Sequence, residues 1–171
     1  PSYVYSKQKI IENFKNLEAA FKGVDHLICF AVKANSNLAI LNILAKNGAG
    51  FDIVSGGELK RVVAAKGDVE KIVFSGVGKT SEEIKLAIEK NILAFNVESE
   101  DELSRIQEIA NSLNKKASIS IRVNPNVDAK THPYISTGLK ENKFGVSEES
   151  AFDLYKKAKL LDSIEIEGID C

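Results

Sequence analysis

Short apolar runs alternate with amphipathic stretches along nearly all of this 171-residue chain, and the alternation keeps an even beat. Runs at Leu27–Val32, Gly50–Val54, Lys71–Ser75, Leu93–Val97, Ala117–Val123 and Ser163–Cys171 have the length and β-branched content of buried strands. The stretches between them predict helices over Leu38–Asn47, Gly57–Lys66, Ser81–Asn91, Ser99–Asn114 and Glu148–Leu160, and a further helix, Ser6–Phe21, precedes the first strand. Ser6 suits the N-cap of that helix and Gly23 its stop. Ser99 and Glu102 make the S-x-x-E pattern of a capping box. A helix between each pair of strands demands parallel pairing, because a parallel partner is reached only by a crossover. The even beat favours a closed (β/α)8 TIM barrel, of which this chain would supply about six of the eight strands. An open doubly wound sheet is the alternative, but its G-x-G-x-x-G turn is missing after the first strand, where the chain reads Lys33-Ala-Asn-Ser-Asn37.

Charge and composition exclude several classes of function. A formal net charge of -1 argues against nucleic acid or an anionic membrane as the main partner. No apolar run approaches the ~20 residues that span a bilayer. Two cysteines, Cys29 and Cys171, do not make a disulfide framework, which sets a cytoplasmic location as the expectation. His26 and His132 stand far apart and in no ligand spacing, so no metal site is expected. Pro1 at the start and the absence of methionine predict an internal piece of a longer protein.

Candidate chemistry gathers at the strand ends that would form one mouth of a barrel. Lys33 follows the apolar run Leu27–Val32. An amine at such a lip can be desolvated, which favours its neutral, nucleophilic form; a snorkelling lysine is the plainer reading. The second strand delivers Asp52, Ser55 and Glu58. In the fifth, Ser118, Ser120, Arg122 and Asn124 share one face and Ile119, Ile121 and Val123 the other, so Arg122 should point into the barrel. An inward arginine needs a carboxylate, and Asp52 and Glu58 are the expected partners. The long polar connection from Asn124 to Val146, broken by Pro125, Pro133, Gly138 and Gly145, reads as a functional loop. Phe74-Ser-Gly-Val-Gly78-Lys79-Thr80 ends like a P-loop, but the first glycine of that motif would fall on Val73 inside the strand. It reads as a turn, with Thr80 or Ser81 capping the next helix. Cys29 reads as a small core residue.

Together these segments resemble the pyridoxal-phosphate-dependent decarboxylases with an alanine-racemase-like barrel, and within them the diaminopimelate decarboxylases. The resemblance rests on Phe30-Ala-Val-Lys-Ala-Asn35, Gly50-Phe-Asp-Ile-Val-Ser-Gly-Gly-Glu58, Arg122-Val-Asn-Pro125, His132-Pro-Tyr-Ile-Ser-Thr-Gly138, Lys143-Phe-Gly145 and Gly168-Ile-Asp-Cys171. It implies decarboxylation of meso-diaminopimelate to L-lysine, with pyridoxal 5'-phosphate as cofactor and a homodimer as the assembly. Lys33 would bind the cofactor covalently, while Asp52, Glu58 and Arg122 would hold its ring. His132, Tyr134, Ile135, Ser136 and Thr137 would form a substrate loop, and Lys143 would lie towards a partner subunit. Residues 1–5, with Tyr3-Val-Tyr5, would be a strand of a missing, all-β second domain. Residues 6–171 would be the N-terminal part of the barrel, incomplete at its C-terminus and inactive alone. Other enzymes of the fold, an alanine racemase or a polyamine-pathway decarboxylase, and a non-catalytic cofactor-binding barrel are the alternatives.

Overall fold

The computed structural model describes residues 1–125, 127 and 144–171. Among the described residues there are seven parallel strands and six α-helices. The strands are β1 (Cys29–Ala31), β2 (Gly50–Ile53), β3 (Ile72–Phe74), β4 (Ala94–Val97), β5 (Ala117–Asn124), β6 (Val146–Ser147) and β7 (Ile164–Asp170). The helices are α1 (Lys7–Ala20), α2 (Leu38–Ala45), α3 (Gly56–Ala64), α4 (Ser81–Lys90), α5 (Glu100–Ser112) and α6 (Glu148–Ala158). Each begins on a side-chain cap, from Ser6, Asn37, Ser55, Thr80, Ser99 and Ser147 in turn, which accepts a first-turn backbone N–H.

The strand order is sequential, β1-β2-β3-β4-β5, with β7 beside β5. A doubly wound sheet reverses direction at a switch point, whereas a barrel adds each strand beside the last. No reversal occurs among the described residues, so the open alternative falls and the chain is a partial barrel. The short β6 was not foreseen. It pairs Val146 and Ser147 with Val123 and Asn124 at the end of β5, immediately before α6.

Alternation along each strand separates two surfaces. Phe51, Ile53, Ile72, Phe74, Phe95, Val97, Ile119 and Ile121 are buried, and they belong to one core with Leu41, Leu59, Val62, Ile84, Leu103 and Ile106 of the helices. Each such side chain contributes roughly 1.5–3 kcal/mol of transfer free energy. The other face carries small and polar residues, and the burial of β5 alternates along its full length as its sequence predicts.

Two close approaches fix the geometry. A Cβ on Gly50 would lie 2.5 Å from the Lys71 carbonyl oxygen and 2.7 Å from Cys29 Sγ. Gly145, at φ +76°, stands so near β5 that a Cβ would lie 2.8 Å from the Arg122 carbonyl oxygen. Beside β5, β7 bulges between Ile166 and Gly168. The Tyr155 hydroxyl covers that irregularity, donating to the Gly168 carbonyl at 2.6 Å and accepting from the Ile121 N–H at 3.4 Å.

Tyr3 and Val4 are exposed, and residues 1–6 take no regular structure. No helix among the described residues is long and apolar enough to cross a membrane.

Candidate active site

Lys33 does not end a strand. It sits in a single 3-10 turn, Val32–Ala34, that follows β1, and its side chain is exposed rather than desolvated. The physical reason is local: β1 pairs with β2 alone among the described strands, so no described strand lies along its other edge to cover Lys33. Lys33 makes no hydrogen bond or ion pair among the described residues. With Val32, Ser36, Ser55, Gly57, Glu58 and Arg61 it lines a cleft of about 280 Å³. A second cavity, of about 580 Å³, lies outside β1 against α1 and α2; Phe14, Ile28, Phe30, Ile40 and Leu44 make its walls largely apolar.

Glu58 thus stands beside Lys33 and not beside Arg122. As the third residue of α3 it turns back, and its Oε2 accepts the Val54 N–H at 2.7 Å. The same geometry recurs in α5. The Ser99 hydroxyl accepts the Glu102 N–H, but Glu102 Oε2 accepts from the Glu98 N–H at 2.8 Å, so the expected capping box closes on one side only. The reciprocal box forms instead at α4, between Thr80 and Glu83. Glu83 also accepts the first N–H of α3, from Gly56, at 2.7 Å. The N–H groups of Thr80 and Gly56 hold its carboxyl below the usual glutamate range.

Asp52 points to the inner face and accepts a 2.6 Å hydrogen bond from the Ser75 hydroxyl, which in turn accepts from Asn96 Nδ2 at 3.0 Å. It does not pair with Arg122. Arg122 meets Glu98 Oε1 at 3.3 Å and Asp170 Oδ2 at 3.6 Å, and its guanidinium lies 5.1 Å from the Phe144 ring centroid. Cross-strand register explains both partners. Arg122 faces Asp170 directly, and Asn96 faces Ser120, so Glu98 comes level with Arg122 two residues further on.

Glu98 is the best-anchored carboxylate of the inner face. Its side chain is 3% exposed and accepts from Arg122, from the Gly76 N–H at 3.0 Å and from the Gly145 N–H at 3.2 Å. Burial pushes the Asp170 carboxyl above the usual aspartate range; the charges of Asp52 and Glu98 push the same way and Arg122 opposes them. Burial, with the charge of Asp52, raises the Cys29 thiol to about 11, so it is a protonated, unreactive group at neutral pH.

Lys79 is buried and donates to Glu102 Oε1, the Gly76 carbonyl and the Asn96 carbonyl. A lysine committed to three internal acceptors cannot serve as a phosphate-binding P-loop residue, and Thr80 caps α4 as the turn reading requires. His132, Tyr134, Ile135, Ser136, Thr137 and Lys143 lie outside the described residues. The structure therefore joins Asp52 and Arg122 to one inner-face network, and Lys33 and Glu58 to one cleft. It adds Glu98 and Asp170, which the sequence reading missed.

The donor set suits an aldehyde cofactor: among the described residues the Lys33 amine makes no ion pair, and Arg122 is held between two acids. The family model described as pyridoxal-dependent decarboxylase, pyridoxal binding domain, matches residues 7–171. The diaminopimelate decarboxylase of Pseudomonas fluorescens is 58% identical over 172 residues, which cover 100% of this chain and 41% of that protein. The crystal structure of diaminopimelate decarboxylase from Helicobacter pylori complexed with L-lysine superposes with a TM-score of 0.94 at 54% identity, over 96% of this chain and 42% of that one. The arginine decarboxylase of Paramecium bursaria Chlorella virus reaches a TM-score of 0.78 at 25% identity, over 94% and 41%. This chain spans about 41% of the length of the curated relatives it matches.

Proposed function

We propose a function that proceeds from one fact: this chain belongs to the pyridoxal-dependent decarboxylase family, as its pyridoxal-binding domain. The whole protein decarboxylates meso-diaminopimelate to L-lysine, in the cytoplasm and as a homodimer. The observation that carries this reading is the 58% identity to a diaminopimelate decarboxylase across the entire chain, against 25% to an arginine decarboxylase of the same fold.

When bound, pyridoxal phosphate supplies an aldehyde that condenses with amines and a ring that accepts the electrons left when a carboxylate departs. Lys33 would hold it covalently, and an exposed amine in no ion pair among the described residues supports that role. Arg122, braced by Glu98 and Asp170, would present a guanidinium of fixed orientation at the inner face. Asp52, held by Ser75, would give that face a carboxylate of set orientation. Glu58 would shape the cleft beside Lys33. His132, Tyr134, Ile135, Ser136 and Thr137 enter on sequence resemblance as the loop that meets substrate, and Lys143 as a residue facing the second subunit. Tyr3-Val-Tyr5, exposed and in no strand pairing among the described residues, suits a strand given to an all-β second domain.

The test uses the full-length protein with meso-diaminopimelate, measuring carbon dioxide and lysine. Lys33→Ala is expected to abolish both turnover and the visible absorption band of the bound cofactor. Persistence of the two would remove the assignment of Lys33. Turnover of arginine or ornithine in place of diaminopimelate would overturn the substrate.

A further inference from the structure

We infer that the buried Lys79–Glu102 pair is a positioning element for the inner-face network, setting the orientation of Arg122 through Glu98 and that of Asp52 through Asn96. The inference rests on the proposed function.

Lys79 has a side chain only 1% exposed, and its Nζ lies 2.5 Å from Glu102 Oε1. A plug for that space could be apolar at less cost than a buried ammonium. What distinguishes Lys79 is where its other bonds go. Nζ donates to the Gly76 carbonyl at 2.8 Å and the Asn96 carbonyl at 2.9 Å, from two different β-to-α connections or strand ends. Each of those residues serves the inner face. Gly76 gives its N–H to Glu98 Oε1, and Asn96 gives its amide to Ser75, which holds Asp52. Glu102, the partner, accepts the backbone N–H of Glu98 itself. Glu98 is therefore gripped at its main chain by Glu102 and at its carboxylate by Gly76, both of which are bound to one ammonium. Two routes lead from that ammonium to the two inner-face residues assigned to the cofactor. Neither Lys79 nor Glu102 need touch cofactor or substrate; they act by fixing groups that do, and misplacing such groups by about 1 Å can lower a rate about a hundredfold.

The experiment compares full-length Lys79→Met, Glu102→Gln and a control, Leu103→Ala. Leu103 is buried on the same helix α5 and makes none of these bonds, so it reports loss of packing alone. Three quantities are read: the thermal midpoint, the cofactor Kd from titration of the visible band into apoprotein, and kcat with KM. All three variants should lower the midpoint. Lys79→Met should also weaken cofactor binding by about tenfold and lower kcat by about tenfold to a hundredfold, with KM held within about twofold. Glu102→Gln keeps one of its two acceptor contacts and should move the same quantities in the same direction by less; it decides the matter if Lys79→Met does not fold. Leu103→Ala should leave cofactor Kd and kcat within about twofold. If the two network variants match the control, losing midpoint while Kd and kcat stay put, the inference is overturned. An unaltered protein that binds cofactor but does not decarboxylate diaminopimelate defeats the proposed function, while the Kd comparison still judges the pair. One that binds no cofactor defeats both.

Discussion

Glu98→Gln is the substitution that interrogates the inner face most sharply, because the replacement is isosteric and only hydrogen-bond polarity and charge change. The carboxylate serves three donors: Oε1 takes Arg122 Nη1 and the Gly76 N–H, and Oε2 takes the Gly145 N–H. Glutamine offers one acceptor atom. With its oxygen towards Arg122 and Gly76, its NH₂ faces the Gly145 N–H, two donors set 3.2 Å apart at a part-buried position. An unsatisfied buried donor costs about 1–3 kcal/mol. Loss of the charge-assisted character of the Arg122 bond adds about 1 kcal/mol, kept small because Arg122 is one-quarter exposed and retains Asp170. The sum is about 2–4 kcal/mol, concentrated where Gly145 docks on β5. Amide hydrogen exchange at Gly145 in the full-length protein should quicken by about thirtyfold or more, each 1.4 kcal/mol of lost protection being about tenfold. The Asp170 carboxyl should titrate lower, because one of the charges raising it has gone and Arg122 is freer to face it. Exchange at Gly145 within about threefold of the unaltered protein, with an unmoved Asp170 titration, would refute the three-donor account of Glu98.

The remaining predictions concern the scaffold. Glu83 titrates below its unfolded value, so the stability it lends is full above the unfolded pKa and is lost as pH falls through the lowered folded one. Glu83→Gln should flatten that acid limb in pH-dependent denaturation while leaving the alkaline limb alone, and an unaltered acid limb would show that the bonds to Thr80 and Gly56 do not form. Gly50→Ala drives a methyl against the Lys71 carbonyl, a backbone atom that cannot rotate away, and should cost about 1–3 kcal/mol. A thermal midpoint equal to that of the parent would mean β2 can shift outward freely.

Most of the scaffold could be read from the residues because its determinants are local. Hydrophobic period and cap chemistry lie within a few residues of each other, so every helix was placed and Ser6 and Ser99 were identified as caps. The polar face of β5 was legible for the same reason, Ser118 to Asn124 alternating within one strand. Partner choice was not, since it depends on register between strands. Asp52 and Glu58 were reasonable candidates for Arg122 by charge, yet Asp52 is taken by Ser75 and Glu58 by the backbone of its own helix start. The true partners were within reach of one further step. Phe95-Asn96-Val97-Glu98 alternates apolar and polar, so extending the fourth strand by one residue would have carried Glu98 to the same inner level. The reading of Lys33 as desolvated failed because exposure is set by what packs across the turn, which no local pattern encodes. Lys79 reads in the sequence only as part of a turn that ends like a P-loop, and only the fold discloses that two carbonyls and a carboxylate converge on it.

The length of β7 has a consequence for handling this chain. It is hydrogen-bonded to β5 along one side and, among the described residues, to nothing along the other, while Ile166 and Ile169 are exposed. Seven residues of open backbone flanked by isoleucine form a docking template for any other extended peptide, including an identical molecule. Glu165 is paired with Lys116, but Glu167 takes only the neutral Ser118 hydroxyl and supplies some like-charge repulsion between copies, which salt weakens. Self-association that grows with ionic strength is therefore the behaviour to guard against when this chain is prepared apart from the rest of its protein.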